Sequence, residues 1–174
     1  MGRIFLIGPM GAGKTAIGRE LARQLDLEFV DADQEIERRT GADIALIFEK
    51  EGEAGFRKRE REVIEELTQR HALVLATGGG AVLDQANREA LKSRGFVIYL
   101  KASVGAQAAR TSQSRNRPLL ETTDRQARLQ QLFDMRAPLY ESLAELTVDT
   151  DSGQVKQISQ RIITELGRRG VASS

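Results

Sequence analysis

Eight residues near the start of the chain, 8–15, have the types and spacing needed to hold a phosphate chain. They read Gly-Pro-Met-Gly-Ala-Gly-Lys-Thr and fit the pattern G-x-x-x-x-G-K-[ST] at every fixed position. The glycines let backbone N–H groups turn toward phosphates, and the helix that follows adds its positive end. Lys14 can then reach the β- and γ-phosphates, and the Thr15 hydroxyl can bind Mg²⁺. The pattern predicts a Mg²⁺–nucleotide site; the alternative is a glycine-rich turn that matches by chance.

Two carboxylates, Asp31 and Asp33, stand one residue apart at the end of the second predicted strand. We expect one of these side chains to face a metal ion and the other to face a substrate. The nucleotide-binding pattern favours this interpretation, because a Mg²⁺–nucleotide site needs a carboxylate near the ion bound by Thr15. The alternative is that Asp33 caps the helix predicted to begin at residue 34.

Arginines and a glycine run supply the remaining candidates. Arg57 and Glu60 lie three apart in a helical pattern, so Glu60 can orient a guanidinium that binds a carboxylate or a phosphate; an ordinary exposed pair is the alternative. Three successive glycines at 78–80 favour close approach of backbone to a ligand, although a plain turn would also fit. Arg117 lies in a polar loop and is either an arginine finger or part of a solvated basic loop.

An alternation of apolar runs and helical patterns must position these residues. Strands are predicted at 4–7, 28–31, 73–76, 97–100 and 146–148. Helices are predicted near 15–25, 34–40, 44–50, 56–70, 85–94, 104–111, 124–144 and 154–168. This alternation predicts a parallel sheet covered by helices on both faces, with ligands at the carboxyl ends of the strands. Pro138 is expected to kink or restart the helix at 124–144, from which Arg136 could project into a cleft.

Length and composition limit the class of protein. The chain has 174 residues, which suits one domain, and it is 40% hydrophobic and 29% charged, which is typical of a globular protein with a core. A net charge of +1 supplies no strong field for nucleic acid or an anionic membrane. The absence of cysteine excludes disulfides and Cys-ligated metals. We expect a cytoplasmic protein, because the first predicted strand leaves no room for a signal peptide and no apolar run approaches the roughly 20 residues of a membrane helix.

The motifs as a set resemble the shikimate kinase family, within the nucleoside-monophosphate-kinase-like P-loop fold. The segments that carry the resemblance are 8–15 with Ile17-Gly18, Asp31-Ala32-Asp33, Gly52-Glu53 with Phe56-Arg57 and Glu60, Gly78-Gly79-Gly80, Arg117-Pro118-Leu119-Leu120 and Arg136-Ala137-Pro138-Leu139-Tyr140. They occur in the family's order and cover nearly the whole chain. The resemblance implies one kinase domain over 1–174, a three-layer α/β/α architecture and a five-stranded parallel sheet of order 2-3-1-4-5. It also implies a substrate-binding segment at about 33–60 and a lid at about 111–123.

The resemblance further implies a reaction: transfer of the γ-phosphate of ATP to the 3-hydroxyl of shikimate, giving shikimate 3-phosphate and ADP, a step in aromatic amino-acid biosynthesis through chorismate. It implies Mg²⁺ as cofactor, ATP as co-substrate and a monomer without nucleic-acid or membrane partners. The rival enzymes are a gluconate kinase or a nucleoside monophosphate kinase, against which the pairing of Arg57 and Glu60 with the glycine run argues. A non-catalytic nucleotide-binding module is the rival from another class, and the full set of charged candidates argues against it.

Roles on the nucleotide side follow from the resemblance position by position. The residues implied to contact ATP are Gly11, Ala12, Gly13, Lys14, Thr15, Ala16, Arg110 and Arg117. Arg117 would be the lid arginine on the phosphates, and Arg110 would stack near adenine, whose other contacts at about 149–154 stay open. Thr15 would bind Mg²⁺ directly and Asp31 through water. Ala16 stands where many members carry Thr or Ser, and we expect little effect from this difference.

Roles on the acceptor side also follow from the resemblance. The residues implied to bind shikimate are Asp33, Arg57, Glu60, Gly78, Gly79, Gly80 and Arg136. Arg57 and Arg136 would hold the substrate carboxylate, Gly79 would contact the substrate through its backbone, and Glu60 would support Arg57. Three residues are implied to be catalytic: Lys14, Asp33 and Arg117. Asp33 would either accept the proton of the attacking hydroxyl or only orient that hydroxyl, and the sequence leaves both open.

Overall fold

A single parallel sheet forms the centre of the computed structural model, which describes residues 2–112 and 124–171. Its strands are β1 (Arg3–Ile7), β2 (Glu28–Asp31), β3 (Leu73–Ala76), β4 (Phe96–Lys101) and β5 (Leu146–Asp149). Their order is β2-β3-β1-β4-β5, which confirms the predicted order, and every neighbouring pair is parallel. All the strands therefore direct their carboxyl ends to the same edge of the sheet, where ligands of such folds bind.

Helices connect the strands and cover both faces of the sheet. In the described part of the chain they are α1 (Lys14–Leu25), α2 (Ala32–Thr40), α3 (Ile44–Leu67), α4 (Gln85–Arg94), α5 (Val104–Thr111), α6 (Arg125–Leu143) and α7 (Val155–Arg168), with a 3₁₀ helix at Ala81–Leu83. The architecture is therefore the predicted three-layer α/β/α arrangement. None of these helices combines the length and apolar character that crossing a membrane requires.

Alternate residues of the buried strands pack into two separate cores. Phe5 and Ile7 of β1 belong to the core that includes side chains of α2, α3 and α6. Ile4 and Leu6 belong to the core on the other face, which α1 and α7 cover. The period of two in a strand sends successive side chains to opposite faces, so a run of apolar residues serves both layers.

Two predicted helices, at 44–50 and 56–70, are joined in the structure as the single element α3. The prediction of two regular helices was nevertheless close, because Gly52 interrupts the helical geometry with φ 71° and ψ 178°. This combination of angles is open almost only to glycine. The element therefore has two arms that meet at Gly52, and the second arm carries Arg57 and Glu60.

The alternative interpretation of Asp33 as a helix cap is wrong. Helix α2 begins at Ala32, and the cap is Asp31, whose Oδ1 accepts a hydrogen bond from the backbone N–H of Gln34 at 3.1 Å. Asp33 lies in the first helical turn, so the two carboxylates do not belong to one extended segment, in which residues two apart would face the same side. Their separation comes instead from the change from strand to helix between them.

The expected restart of the helix at Pro138 is also wrong, because α6 runs from Arg125 to Leu143 without interruption. A proline removes one backbone N–H from the helical ladder. Arg136 and Tyr140 on either side of it are buried, and tertiary packing supplies most of the stability of a helix. Packing therefore outweighs the local cost of the proline.

Candidate active site

The loop between β1 and α1 has the backbone shape that the nucleotide-binding pattern requires. Gly11 and Gly13 have φ angles of 78° and 88°, in the left-handed region that glycine adopts without strain. The ammonium group of Lys14 donates hydrogen bonds to the carbonyls of Gly8, at 2.6 Å, and Pro9, at 2.8 Å. The lysine therefore lies against the loop, at the start of a helix whose N-terminus favours anions.

Thr15 and Asp31, the predicted metal-binding pair, lie side by side. The Thr15 hydroxyl donates to Asp31 Oδ2 at 2.6 Å, although the two residues come from different elements. Both offer only oxygen atoms, which are the ligands that Mg²⁺ prefers. Among the described residues there is no group of three or more His, Cys, Asp or Glu that could hold a metal. The pair thus fits an ion held by one or two protein oxygens together with substrate phosphates.

A cleft of about 410 Å³ opens at the carboxyl edge of the sheet. Its lining residues come from the phosphate loop, α2, the start of α3, the glycine run and α5: Met10, Gly11, Gly13, Lys14, Thr15, Ala16, Asp31, Asp33, Gln34, Glu37, Ile44, Thr77, Gly78, Gly79 and Arg110. The structure therefore brings most of the predicted nucleotide-binding residues together with Asp33. Of the predicted site residues in the described chain, Ala12, Arg57, Glu60, Gly80 and Arg136 do not line this cleft.

Gly78 and Gly80 lie so close to charged groups that a side chain at either position would displace them. A Cβ at Gly78 would lie 2.8 Å from Asp33 Oδ1 and 3.1 Å from Glu60 Oε2. A Cβ at Gly80 would lie 2.3 Å from Arg57 Nη2 and 2.7 Å from its Cζ. The alternative of a plain turn does not explain contacts this close. The two glycines therefore let Asp33 of α2 and the ion pair of Arg57 and Glu60 of α3 approach the same stretch of backbone.

Gly79 lies between the phosphate loop and α6. A Cβ there would lie 3.3 Å from Arg136 Nη1 and 3.5 Å from the backbone nitrogen of Met10. The Gly79 carbonyl accepts a hydrogen bond from the Tyr140 hydroxyl. The middle glycine of the run therefore connects the nucleotide loop to the buried arginine of α6.

Arg57 and Glu60 form the predicted pair, and it is not an ordinary exposed one. Arg57 Nη1 donates to Glu60 Oε1 at 2.9 Å, and the Glu60 side chain is only 1% exposed. Burial raises the pKa of Glu60 above 4.5, while the Arg57 charge acts in the opposite direction. Glu53 accepts a longer bond of 3.4 Å from Arg57 Nη2. The pair fixes the guanidinium beside the glycine run.

Arg136 is a buried cation that lacks a matching anion. The residue is 4% exposed, and burial lowers the pKa of its guanidinium, with the charge of Arg57 acting in the same direction. No ion pair joins Arg136 to a carboxylate in the part of the chain that is described. Its Nε is buried without a hydrogen-bond partner there. Burying an uncompensated charge is costly, so this site is suited to receive an anionic group.

Arg110 connects α5 to two segments of the nucleotide side. Its Nη1 donates to the Gly11 carbonyl at 2.9 Å and its Nη2 to the Thr150 carbonyl at 2.6 Å. The adenine contact implied for it stays a prediction. Arg117 and the lid predicted at about 111–123 lie outside the described residues, apart from the first two positions of that segment.

Comparison with known proteins accounts for this arrangement of groups. A family model described as shikimate kinase matches residues 10–167, most of the chain. The chain belongs to the shikimate kinase family. The shikimate kinase of Colwellia psychrerythraea is 54% identical over 94% of this chain and 95% of its own. That of Legionella pneumophila (strain Corby) is 55% identical over 94% and 93%. The predicted family and enzyme class, an ATP-dependent shikimate kinase, are confirmed.

Solved structures of shikimate kinases share the same fold. The shikimate kinase from Acinetobacter baumannii in complex with shikimate has a TM-score of 0.95 and 50% identity, covering 97% of this chain and 94% of its own. A gluconokinase from Sinorhizobium meliloti has a TM-score of 0.62 at only 17% identity, covering 96% and 92%, so its likeness concerns the fold alone. The rival assignment as a gluconate kinase therefore gains nothing from this likeness beyond a shared fold.

Sequence reasoning assigned no role to Tyr140, Met10 or Glu53, which the structure places at this shikimate kinase site. Tyr140 was part of the motif that begins at Arg136, and its spacing of four residues on a helix predicts that the two side chains are neighbours. That spacing was the signal available for Tyr140. Glu53 had the same signal, because it lies four residues before Arg57 in a helical pattern. Met10 had none, because its contact with Gly79 depends on packing.

Proposed function

We propose that this chain transfers the γ-phosphate of ATP to the 3-hydroxyl of shikimate and releases shikimate 3-phosphate and ADP. The observation that carries the proposal is the buried guanidinium of Arg136, close to Arg57 and next to a phosphate-binding loop. Among the described residues, Glu60 is the one buried carboxylate that balances these two cations. An acceptor that carries a carboxylate would supply the missing negative charge.

On the nucleotide side, the backbone of residues 11–16 would hold the ATP phosphates, with Lys14 at the β- and γ-phosphates. Thr15 would bind Mg²⁺ directly and Asp31 through water, as the hydrogen bond between their side chains supports. When bound, Mg²⁺ neutralises charge on the phosphate oxygens. Arg110, which lines the same cleft, would bind near the nucleotide base, and Arg117 would neutralise charge on the phosphates.

On the acceptor side, Asp33 would hold the reacting hydroxyl in the cleft, and Arg57, Arg136 and the Gly79 backbone would hold the rest of shikimate. The 3-hydroxyl oxygen forms a bond to the γ-phosphorus as the bond from that phosphorus to the bridging oxygen of ADP breaks. The hydroxyl proton leaves to Asp33 or to water oriented by it. Such a transfer depends mainly on positioning and charge neutralisation, which these residues supply.

The proposal is tested by measuring ADP release with shikimate, gluconate and several nucleoside monophosphates as acceptors. We expect rapid release that depends on shikimate, is abolished by a chelator and is restored by Mg²⁺. Turnover of another acceptor without turnover of shikimate would replace this function with that of a related kinase. ATP binding without transfer to any acceptor would instead support a nucleotide-binding module.

Replacing Arg57 by alanine tests the assignment of the carboxylate site. Arg57→Ala should raise the KM for shikimate about a hundredfold, because it removes a hydrogen-bonded charge from a largely buried site. The KM for ATP should change less than about threefold, since the cleft wall on the nucleotide side is intact.

Arg59→Ala is the matched control, because it removes the same side chain two residues away, where it is 43% exposed and pairs with Glu51. Steady-state kinetics of both variants should show an effect on shikimate only for Arg57→Ala. Equal losses for shikimate and ATP in Arg57→Ala would contradict the assignment. The monomeric state and the cytoplasmic location stay predictions.

A further inference from the structure

Two tyrosines, the only ones in the chain, are buried next to one another beneath the glycine run. The rings of Tyr99 on β4 and Tyr140 on α6 have centroids 5.1 Å apart, and neither residue is exposed. Their hydroxyl groups differ. That of Tyr140 donates to the Gly79 carbonyl, whereas that of Tyr99 has no hydrogen-bond partner among the described residues. Burying a phenol hydroxyl without a partner is costly, so the bond made by Tyr140 distinguishes it from its neighbour.

Tyr140 also lies one helical turn after Arg136. Burial lowers the pKa of the Arg136 guanidinium, and hydrogen bonding with Tyr140 acts in the opposite direction. A phenol has one proton to donate and two lone pairs to accept. With its proton on the Gly79 carbonyl, it keeps its lone pairs for the guanidinium. The Gly79 carbonyl accepts this hydrogen bond, and the Cβ position of the same glycine lies 3.3 Å from Arg136 Nη1, so the hydroxyl, the glycine and the guanidinium lie together.

No ion pair fixes the orientation of the Arg136 guanidinium among the described residues. No carboxylate pairs with it there, and its Nε has no hydrogen-bond partner. Gly79 has no side chain to contact it, and a Cβ at Gly79 would lie 3.3 Å from Arg136 Nη1. If a long side chain lacks such partners, it must be ordered when the ligand binds, and the entropic cost of this ordering weakens binding. A contact that orders it beforehand is therefore important for binding.

We propose that Tyr140 is a positioning residue for the acidic acceptor. Its hydroxyl fixes the Arg136 guanidinium relative to the Gly79 backbone, so that both groups contact the end of the shikimate ring that carries the carboxylate. This inference rests on the proposed function. It adds a specific requirement, since the ring of Tyr140 alone, without its hydroxyl, would fill the same space but leave Arg136 unordered.

The first experiment compares Tyr140→Phe with Tyr99→Phe. Tyr140→Phe should raise the KM for shikimate about tenfold, the loss expected for one hydrogen bond to a charged group, with kcat and the KM for ATP changed less than about twofold. Tyr99→Phe is the control: the Tyr99 ring centroid lies 5.1 Å from that of Tyr140, and its hydroxyl has no hydrogen-bond partner among the described residues. This variant should leave all three constants unchanged. Similar effects of the two variants, or a loss spread evenly over shikimate, ATP and kcat, would overturn the inference in favour of a purely structural role.

A second experiment tests whether Tyr140 acts through Arg136. In the background of Arg136→Lys, which keeps the charge but not the fork, Tyr140→Phe should raise the KM for shikimate less than about twofold. Penalties that multiply across the two variants would show that the residues act independently and would also overturn the inference.

A third measurement needs no change of the site and remains informative if Tyr140→Phe does not fold. Protein labelled with 3-fluorotyrosine should give two ¹⁹F resonances, which Tyr99→Phe assigns. Addition of shikimate without nucleotide should shift the Tyr140 resonance more than that of Tyr99. Equal shifts, or a larger shift for Tyr99, would contradict the inference. If the wild-type protein does not turn over shikimate at all, the proposed function fails instead, so the two failures are distinguishable.

Discussion

Gly80 lies closer to a charged side chain than a methyl group would allow. Its backbone angles, φ −96° and ψ 3°, are accessible to any residue, so its need for glycine comes from its neighbour rather than from strain. That neighbour is the guanidinium of Arg57, the flexible end of a long side chain. At the scale of the residue, therefore, the lack of a side chain at Gly80 is what allows the Arg57 guanidinium to occupy its position.

Gly80→Ala should move the Arg57 guanidinium, since a Cβ would stand 2.3 Å from Nη2. We expect the KM for shikimate to rise about tenfold to a hundredfold, because small displacements of a binding group have large effects. The midpoint of thermal unfolding should change little, because a flexible end can move aside. Gly105→Ala, where a Cβ would meet nothing closer than 4.0 Å, is the control. A marked loss of stability without a change in the KM for shikimate would show that the Arg57 guanidinium keeps its position and that the added Cβ strains the fold instead.

Glu60 gives stability a pH dependence whose sign follows from its burial. Its folded-state pKa is raised above 4.5, so the folded protein holds this proton more tightly than the unfolded chain. The stabilisation from this group is complete below about pH 4.5 and is lost as the pH rises through the folded pKa. The free energy of unfolding of the wild type, minus that of Glu60→Gln, should therefore decrease as the pH rises above 4.5. Urea unfolding at several pH values measures it, and an increase would mean that the attraction of Arg57 outweighs burial.

At the scale of the element, α3 is two arms joined at Gly52. The first arm lies in the predicted substrate-binding segment, and the second places Arg57 and Glu60 next to the glycine run. An exposed bidentate pair between Glu51 and Arg59, with bonds of 2.6 and 2.8 Å, spans the break. Exposed pairs contribute little, so the angle between the arms depends on the conformation of the glycine and on packing, including the contact of the Phe48 and Phe56 rings at 5.0 Å.

Gly52→Ala should destabilise the protein by about 1–3 kcal/mol through backbone strain alone, because a Cβ there meets nothing within 4 Å. Gly167→Ala is the matched control: its Cβ also meets nothing within 4 Å, but the residue is regular helix in α7. That change should stabilise by up to about 1 kcal/mol. Chemical unfolding of both variants measures the difference, and equal effects would mean that the break at Gly52 carries no strain for alanine.

At the scale of the whole molecule, stability and function use different parts of the fold. The candidate site occupies the carboxyl edge of the sheet, whereas the last helix, α7, ends near the opposite edge. There the carbonyl of Val171 lies 3.5 Å from the Cβ position of Gly2, just before β1 begins. Leu166 is fully buried in the core between α1, α7 and the sheet. Its packing supports the sheet without touching the site.

Leu166→Ala should lower the free energy of unfolding by about 2–5 kcal/mol, the usual cost of such a cavity. The KM values for shikimate and ATP should stay within about twofold of the wild type at temperatures where the variant is folded. Urea unfolding and steady-state kinetics on one preparation give both quantities. A selective rise in either KM would indicate that the two edges of the sheet are coupled.

The sequence by itself determined the nucleotide half of this protein. Its parts stand within a few successive residues, and a strand, a loop and a helix place them by local geometry alone. The conformations of Gly11 and Gly13 and the position of Thr15 follow from residue type at that spacing. The sheet order came from family resemblance carried by the motifs, and the structure confirms it.

Only the tertiary structure decided how the acceptor half is built. Tyr140 and Gly79 are 61 residues apart, and no pattern along the chain requires them to meet. Whether a charged residue such as Arg136 has a counter-ion depends on every element packed around it, so its unbalanced charge was not readable from spacing. Likewise, Asp31 rather than Asp33 caps α2, because the helix begins directly after the strand, two residues earlier than predicted. Local patterns determine local geometry, whereas burial and charge balance are properties of the packed whole.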